Sequence, residues 1–356
     1  MEVSRRALAA GAAALFAGSE ANAQQTGAAS VTTSNDPTAL PIPAQSVPAP
    51  RSVSPEGKAF WEAAARRITA QRAGTPPARG GGAPGADYFR SIAKGFDGTT
   101  ETISLPSGAS LYRITPNGRT GRLARAAYVD IHGGGFTSGG GEQCRFLAMA
   151  RARDYGVEVY AIDYRLLPDH PYPAGLDDCV EAYRIVLQQH RADMIVVGGS
   201  SAGGNLAAAL VLRAMAAGLP LPKALMLLTP AVDMTHSGDS YETNRYLDVV
   251  IGRGDRPEPD PRTGYGGNVD PTMPFVSPLL GDLSNFPPTI LTTGTRDLLL
   301  SDTVRMHRAL RRAGVSADLL VTEGGCHVGF GGTAPEDREI LVECRKFLHT
   351  ALGVHA

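Results

Sequence analysis

From Ala127 onward, short apolar runs rich in β-branched residues alternate with stretches of good helix formers, and this alternation limits the available folds more than any other feature. The strand-like runs are Ala127 to Ile131, Val157 to Ile162, Met194 to Val197, Ala224 to Leu228, Thr289 to Thr292 and Leu319 to Thr322. Helical patterns fall at Glu142 to Tyr155, Ala174 to His190, Ala202 to Ala217, Ser301 to Ala313 and Pro335 to Leu352. A run such as Met194-Ile195-Val196-Val197 has no polar interruption, as a strand covered on both faces by helices requires. The pattern predicts an α/β fold with a mostly parallel central sheet and helices on both faces. Ahead of it, Thr102 to Leu105 and Leu111 to Thr115 flank Pro106-Ser107-Gly108 and predict a hairpin.

With 356 residues, 43% hydrophobic and 19% charged, the chain can form one large domain plus an appendage. A net charge of -1 gives no electrostatic case for binding nucleic acid or an anionic membrane surface, and points to a small, weakly charged substrate. No later run approaches the ~20 apolar residues of a membrane span. At the N-terminus, Arg5-Arg6, the apolar run Ala7 to Gly18 and Ala21-Asn22-Ala23 read as an export signal over 1–23 of the twin-arginine kind, implying a periplasmic or secreted protein. Residues 24–54 read as a Pro- and Ser-rich linker. Residues 55–95 read as cap helices, with Phe60, Trp61, Ala64 and Ile68 at helical spacing and a flexible Gly74 to Gly85 stretch between them. The main domain is then 96–356. Within it Asp233 to Val276 is long, polar and without period, as a functional loop at the C-terminal ends of the strands would be, and it could add to the cap. Cys144, Cys179, Cys326 and Cys344 lack zinc-site spacing and read as buried thiols, with three disulfide pairings formally open.

The chemistry is concentrated after the strands. Gly199-Ser200-Ser201-Ala202-Gly203-Gly204 follows one strand and opens a helix, in the Gly-x-Ser-x-Gly pattern of a nucleophile elbow with Ser201 at its apex. The chain has 42 glycines, so this pattern carries weight only together with partners. His132-Gly133-Gly134-Gly135-Phe136 follows the strand ending at Ile131, and the N–H groups of Gly133, Gly134 and Ala202 are suited to hold a tetrahedral oxyanion. A serine needs a base, and the base needs an orienting carboxylate. His327 and Asp297 each follow a late strand in the chain order Ser, Asp, His. Competitors for the acid are Asp302, which opens a helix and would serve its dipole, and Asp233. His132 is expected to hydrogen-bond within the glycine loop; His170, His307 and His349 are poorer bases. Neither glycine loop carries the Lys-Ser/Thr of a phosphate loop, and no dinucleotide fingerprint is present, so no cofactor or metal is expected.

These motifs together resemble the hormone-sensitive-lipase-like family of α/β-hydrolase carboxylesterases, the type IV esterases. The likeness covers about Ala126 to Leu352. It includes His132-Gly133-Gly134-Gly135, the elbow, and Asp163-Tyr164-Arg165-Leu166-Leu167-Pro168-Asp169-His170-Pro171-Tyr172-Pro173-Ala174, read as structural. The resemblance implies a sheet of about eight strands and a serine carboxylesterase for small esters that works through an acyl-enzyme. Its catalytic residues would be Ser201, Asp297 and His327, with an oxyanion hole at Gly133, Gly134 and Ala202. A lactone hydrolase using the same triad is the alternative, and a non-catalytic binding protein on this scaffold the more distant one. The sequence is compatible with a monomer or a homo-oligomer. It departs from the family at Ser200, where Asp is usual, at Leu298, where Pro is usual, and at His327, followed by Val-Gly-Phe rather than Gly-Phe. An altered loop around the base is therefore expected.

Overall fold

The computed structural model describes residues 38–40, 46–72, 86–256, 264–332 and 334–354. The export-signal segment 1–23 and the Gly74 to Gly85 stretch lie outside the described residues. The helices are α1 (Pro55–Arg72), α2 (Ala86–Ile92), α3 (Glu142–Tyr155), α4 (Ala174–Gln189), α5 (Ala202–Ala216), α6 (Ser240–Thr243), α7 (Leu300–Arg312) and α8 (Pro335–Ala351). The strands are β1 (Gly98–Ser104), β2 (Ser110–Pro116), β3 (Ala127–Ile131), β4 (Glu158–Asp163), β5 (Ile195–Ser200), β6 (Ala224–Leu228), β7 (Thr289–Gly294) and β8 (Ala317–Thr322). They form one sheet in the order β1-β2-β4-β3-β5-β6-β7-β8. Only the β1–β2 and β2–β4 pairings are antiparallel. All the others are parallel. β1 begins earlier than its apolar residues suggest, because its outer half pairs as an exposed edge through Thr99, Thr100 and Glu101.

Alternation along the strands divides the core into two layers. Ala127, Val129 and Ile131 of β3 face a layer built with Leu176 and Tyr183 of α4, Leu206 and Leu210 of α5, and Met306 of α7. Tyr128 points to the opposite face, against Cys144, Ala148 and Ala152 of α3 and Cys344 and Leu348 of α8. All four cysteines are free thiols and buried, as expected. The chain places β4 on one side of β3 and β5 on the other, so the strand order reverses there. In open α/β sheets ligands bind in the crevice outside such a reversal.

Outside the sheet, α1 starts where the sequence signals it. Ser54 Oγ accepts the Gly57 N–H at 3.0 Å and Pro55 occupies the first turn. The Ser54 N–H and hydroxyl also donate to Glu336 at 2.6 and 2.8 Å, tying the start of α1 to the start of α8. Val53, Trp61 and Ala64 pack with Cys326, Phe330 and Ala334, so α1 lies on the loop after β8. The indole N–H of Trp61 donates to Gly324 O at 3.0 Å, and its ring carries the Arg296 guanidinium 4.5 Å from the centroid. Burial of Val53 means that the last residues of the linker segment are packed.

Candidate active site

β5 ends at Ser200 and α5 begins at Ala202, so the whole reversal falls on Ser201, with φ 57° and ψ −119°. An L-residue in such a conformation costs roughly 1–3 kcal/mol, and it persists only where its surroundings over-determine it. Here the Ser201 N–H donates to Leu228 O at 2.9 Å, and Ser201 O accepts the N–H of Ala231 at 3.2 Å. Close approach is the second requirement. A Cβ on Gly203 would lie 2.0 Å from Ile131 O, and one on Gly199 2.2 Å from Gly203 O. α5 is thus pressed onto the end of β3, which brings the serine turn beside the loop that follows β3. The first N–H groups of the helix lack intrahelical partners and face the same space.

That loop is the glycine-rich one. A Cβ on Gly133 would sit 2.9 Å from Ser200 O and 3.3 Å from Ser201 Cβ, so Gly133 lies against the serine. Gly134 takes φ 117° and its carbonyl accepts the N–H groups of Thr137 and Ser138 at 3.0 and 3.1 Å. His132 is buried, and burial lowers its pKa against the opposing effects of its bond to Gly133 and of Asp163. The ring is therefore neutral at pH 7, and its Nδ1 lies 2.7 Å from Gly133 O, which makes Nδ1 the protonated nitrogen. Tyr164 stacks on this ring at 4.2 Å and donates its hydroxyl to His132 O at 3.1 Å. Leu167 N–H donates to Phe136 O at 2.9 Å, and Arg165 grips Asp178 with Nε and Nη2. The segment from Asp163 to Ala174 thus buttresses the glycine loop, the structural part read for it. Phe136 stacks face to face on Tyr265 of the long segment, 3.9 Å between centroids.

The acid and the base stand two and three strands further along the sheet. Asp297 follows β7, is fully buried, and accepts the Nδ1–H of His327 with Oδ1 at 3.1 Å. Its Oδ2 accepts the Thr293 hydroxyl at 2.9 Å, Oδ1 also takes the Leu299 N–H at 2.9 Å, and Asn244 Nδ2 holds its backbone carbonyl at 2.8 Å. His327 follows β8. Burial disfavours its charged form, but the charge of Asp297, the bond to it, and the charge of Asp248 outweigh burial and raise its pKa. The Gly329 N–H donates to Cys326 O at 2.8 Å, closing a turn over His327 and Val328. The residue inserted after the histidine, Val328, adopts φ 61°.

Of the competitors, Asp302 lies in the first turn of α7, where the sequence placed it. Its side chain is fully buried and accepts the Asp233 N–H at 3.0 Å, and burial pushes its carboxyl well above the usual range. Asp233 is occupied by Thr235, Ser237 and Arg305. His307 and His349 face backbone carbonyls of Ala317 and Tyr155. Sequence reasoning missed Asp248 and Asn244, both in the long segment and both buried against the loops of Asp297 and His327.

A parallel sheet that reverses order at β3/β5, with a strained serine at the reversal, is α/β-hydrolase architecture, and a family profile for the alpha/beta hydrolase fold matches residues 128–330. An acetyl-hydrolase of Streptomyces hygroscopicus is 31% identical over 226 residues, 63% of this chain and 75% of that protein. The crystal structure of esterase E25 superposes with a TM-score of 0.73 at 34% identity, over 89% of this chain and 99% of that one. An esterase from the bacterial hormone-sensitive lipase (HSL) family superposes at 0.68 with 29% identity, over 84% and 99%. The chain belongs to the hormone-sensitive-lipase-like, type IV carboxylesterase family of α/β-hydrolases and is a carboxylic ester hydrolase.

Proposed function

We propose that the protein hydrolyses small carboxylic esters through an acyl-enzyme on Ser201, with His327 as general base and acid and Asp297 as its orienting carboxylate. The observation that carries this reading is the buried His327–Asp297 pair, 3.1 Å from Nδ1 to Oδ1, at the same edge of the sheet as the serine turn. With Nδ1–H held by Asp297, Nε2 presents its lone pair and takes the Ser201 proton as Oγ attacks the carbonyl carbon. The carbonyl oxygen becomes the oxyanion, for which the N–H groups of Gly133, Gly134 and Ala202 are the donors. Collapse breaks the bond to the alkoxy oxygen, which leaves as the alcohol with the proton from His327. Water then gives a proton to His327 and attacks the acyl carbon, and the second collapse returns the proton to Ser201 and releases the carboxylic acid. The buried imidazolium formed in each half is stabilised by Asp297, which supports a role for it beyond orientation.

The acetyl-hydrolase name of a relative supports a short acyl group. Turnover of p-nitrophenyl acetate and butyrate by wild type and by Ser201→Ala tests the assignment. Loss of turnover in a folded Ser201→Ala protein is the expected result, and wild-type turnover would overturn it.

A further inference from the structure

Asp248 lies in the long segment between β6 and β7, 50 residues from Leu298 and 79 from His327 in sequence, yet its side chain touches both. It is 4% exposed. Its Oδ2 accepts the Leu298 N–H at 2.8 Å and the His327 N–H at 3.3 Å, while Oδ1 accepts the N–H groups of Val250 and Ile251 at 2.8 and 3.1 Å. Leu298 directly follows Asp297. One carboxylate therefore clamps the backbone beside the acid to the backbone of the base, and ends its own loop with the remaining oxygen. Atoms of Asp248, Asp297 and His327 lie within 4.8 Å of one another. The segment is held down from the other side by α1, where Arg67 donates to Val249 O at 2.7 Å and Val249 and Val250 pack on the α1 cluster.

We propose that Asp248 is a positioning residue that sets the distance and angle between Asp297 and His327, and that its carboxylate charge helps to hold the imidazolium formed during turnover. The proposal rests on the assignment of those two residues above. An asparagine has nearly the same shape but only one acceptor atom. Whichever way its amide turns, two of the four N–H groups face an NH2 donor instead of an oxygen. The acid and base loops then separate, and a displacement near 1 Å in such a pair costs on the order of 10²-fold in rate. A glutamate keeps the charge and both acceptors but shifts them by one methylene.

Asp297 on the β7–α7 loop and Asp248 on the long segment face His327, with Cys326 beside it in the chain as a buried neutral thiol; Arg67 on α1 and Asp337 on α8 lie near Cys326. Burial and the charge of Asp297 raise the pKa of the Asp248 carboxyl, opposed by the His327 charge and the Leu298 and Val250 N–H groups. Asp297 and Asp248 in turn raise the His327 pKa, so removing the Asp248 charge moves the acid limb of the rate profile to lower pH.

The test is steady-state kinetics of Asp248→Asn and Asp248→Glu from pH 5 to 9 on p-nitrophenyl butyrate, with thermal unfolding, beside Ser201→Ala and His327→Ala. For Asp248→Asn the expected result is kcat lowered about 10- to 100-fold, KM within about threefold, and the acid limb displaced to lower pH. For Asp248→Glu it is a lowered kcat with the acid limb in place, which decides the matter if the asparagine variant does not fold. Wild-type kcat in either variant, or a loss with the acid limb of the asparagine variant unmoved, overturns the proposal. Retained activity in Ser201→Ala or His327→Ala would instead overturn the triad itself.

Discussion

Replacing Gly203 with alanine is expected to disable the enzyme without unfolding it. Gly203 is the second residue of α5, and an added Cβ would meet Ile131 O at 2.0 Å, His132 O at 2.5 Å and Ile131 C at 2.6 Å. All three are backbone atoms, so no side-chain rotation relieves the clash. Opening the nearest contact to 3.0 Å, below which real Cβ atoms are essentially never found, requires a separation of 1.0 Å between α5 and the end of β3 (3.0 − 2.0). Ser201 stands two residues before Gly203 and Gly133 directly follows His132, so opening this contact displaces the serine turn against the glycine loop. A displacement of this size in a reacting constellation costs about 10²-fold in kcat, and overpacking of this kind costs about 1–3 kcal/mol of stability. The assay is kcat on p-nitrophenyl butyrate together with urea unfolding. Gly218→Ala is the control: Gly218 has positive φ, at 64°, unlike Gly203, and nothing lies within 4 Å of its Cβ position. It should lose about 1 kcal/mol of stability and keep its kcat. A Gly203→Ala protein that turns over within threefold of wild type would refute the close-approach argument.

Three further results follow from the geometry. Because the pKa of His327 is raised from 6.5 and the base must be neutral to accept a proton, the acid limb of kcat/KM should lie above pH 6.5, and a limb below that value contradicts the charge balance drawn around it. Val328 holds φ 61°, so Val328→Gly should relieve strain that outweighs the chain entropy glycine adds, a net gain of about 0.5–1 kcal/mol in chemical unfolding; a destabilised variant would show that valine packing dominates there. Glu158 of β4 is bonded by His190, Thr115, Arg113 and Tyr160, and these overcome burial to hold its carboxyl down at about 2. Its folded pKa is thus depressed, so its stabilisation is complete above its unfolded pKa near 4.3 and lost as pH falls towards 2. The stability gap between wild type and Glu158→Gln should accordingly be wide at pH 6 and shrink at pH 2.5, and a gap independent of pH would refute this.

The sheet and its helices were legible because their residues obey one rule each. β6 is an uninterrupted apolar run, and β3 and β5 are apolar but for Asp130 and the terminal Ser200, all three largely buried, and α3 and α8 carry the residues read as helical from the sequence. The serine turn was legible for the same local reason: Gly199 and Gly203 mark positions where backbone meets backbone. What the long segment does was not. Asp248 and Asn244 act through hydrogen bonds to residues 50 or more positions away, and no period or spacing records such a partner. Asp302 was legible as the first-turn acid of α7, whereas the hydrogen bond that its carboxylate accepts from the Asp233 N–H, 69 positions away, was not. Val328 was legible only as an insertion; its positive φ is a property of the closed turn from Cys326 to Gly329.

The claim on which the rest depends is that Ser201 is the one activated nucleophile. Reaction of the native protein with an alkyl fluorophosphonate, followed by intact mass and peptide mapping, reads this directly. One adduct per chain, located on Ser201 and lost in Ser201→Ala and in His327→Ala, is the predicted result. An adduct on Ser200 or elsewhere, or full labelling of the Ser201→Ala protein, would contradict it.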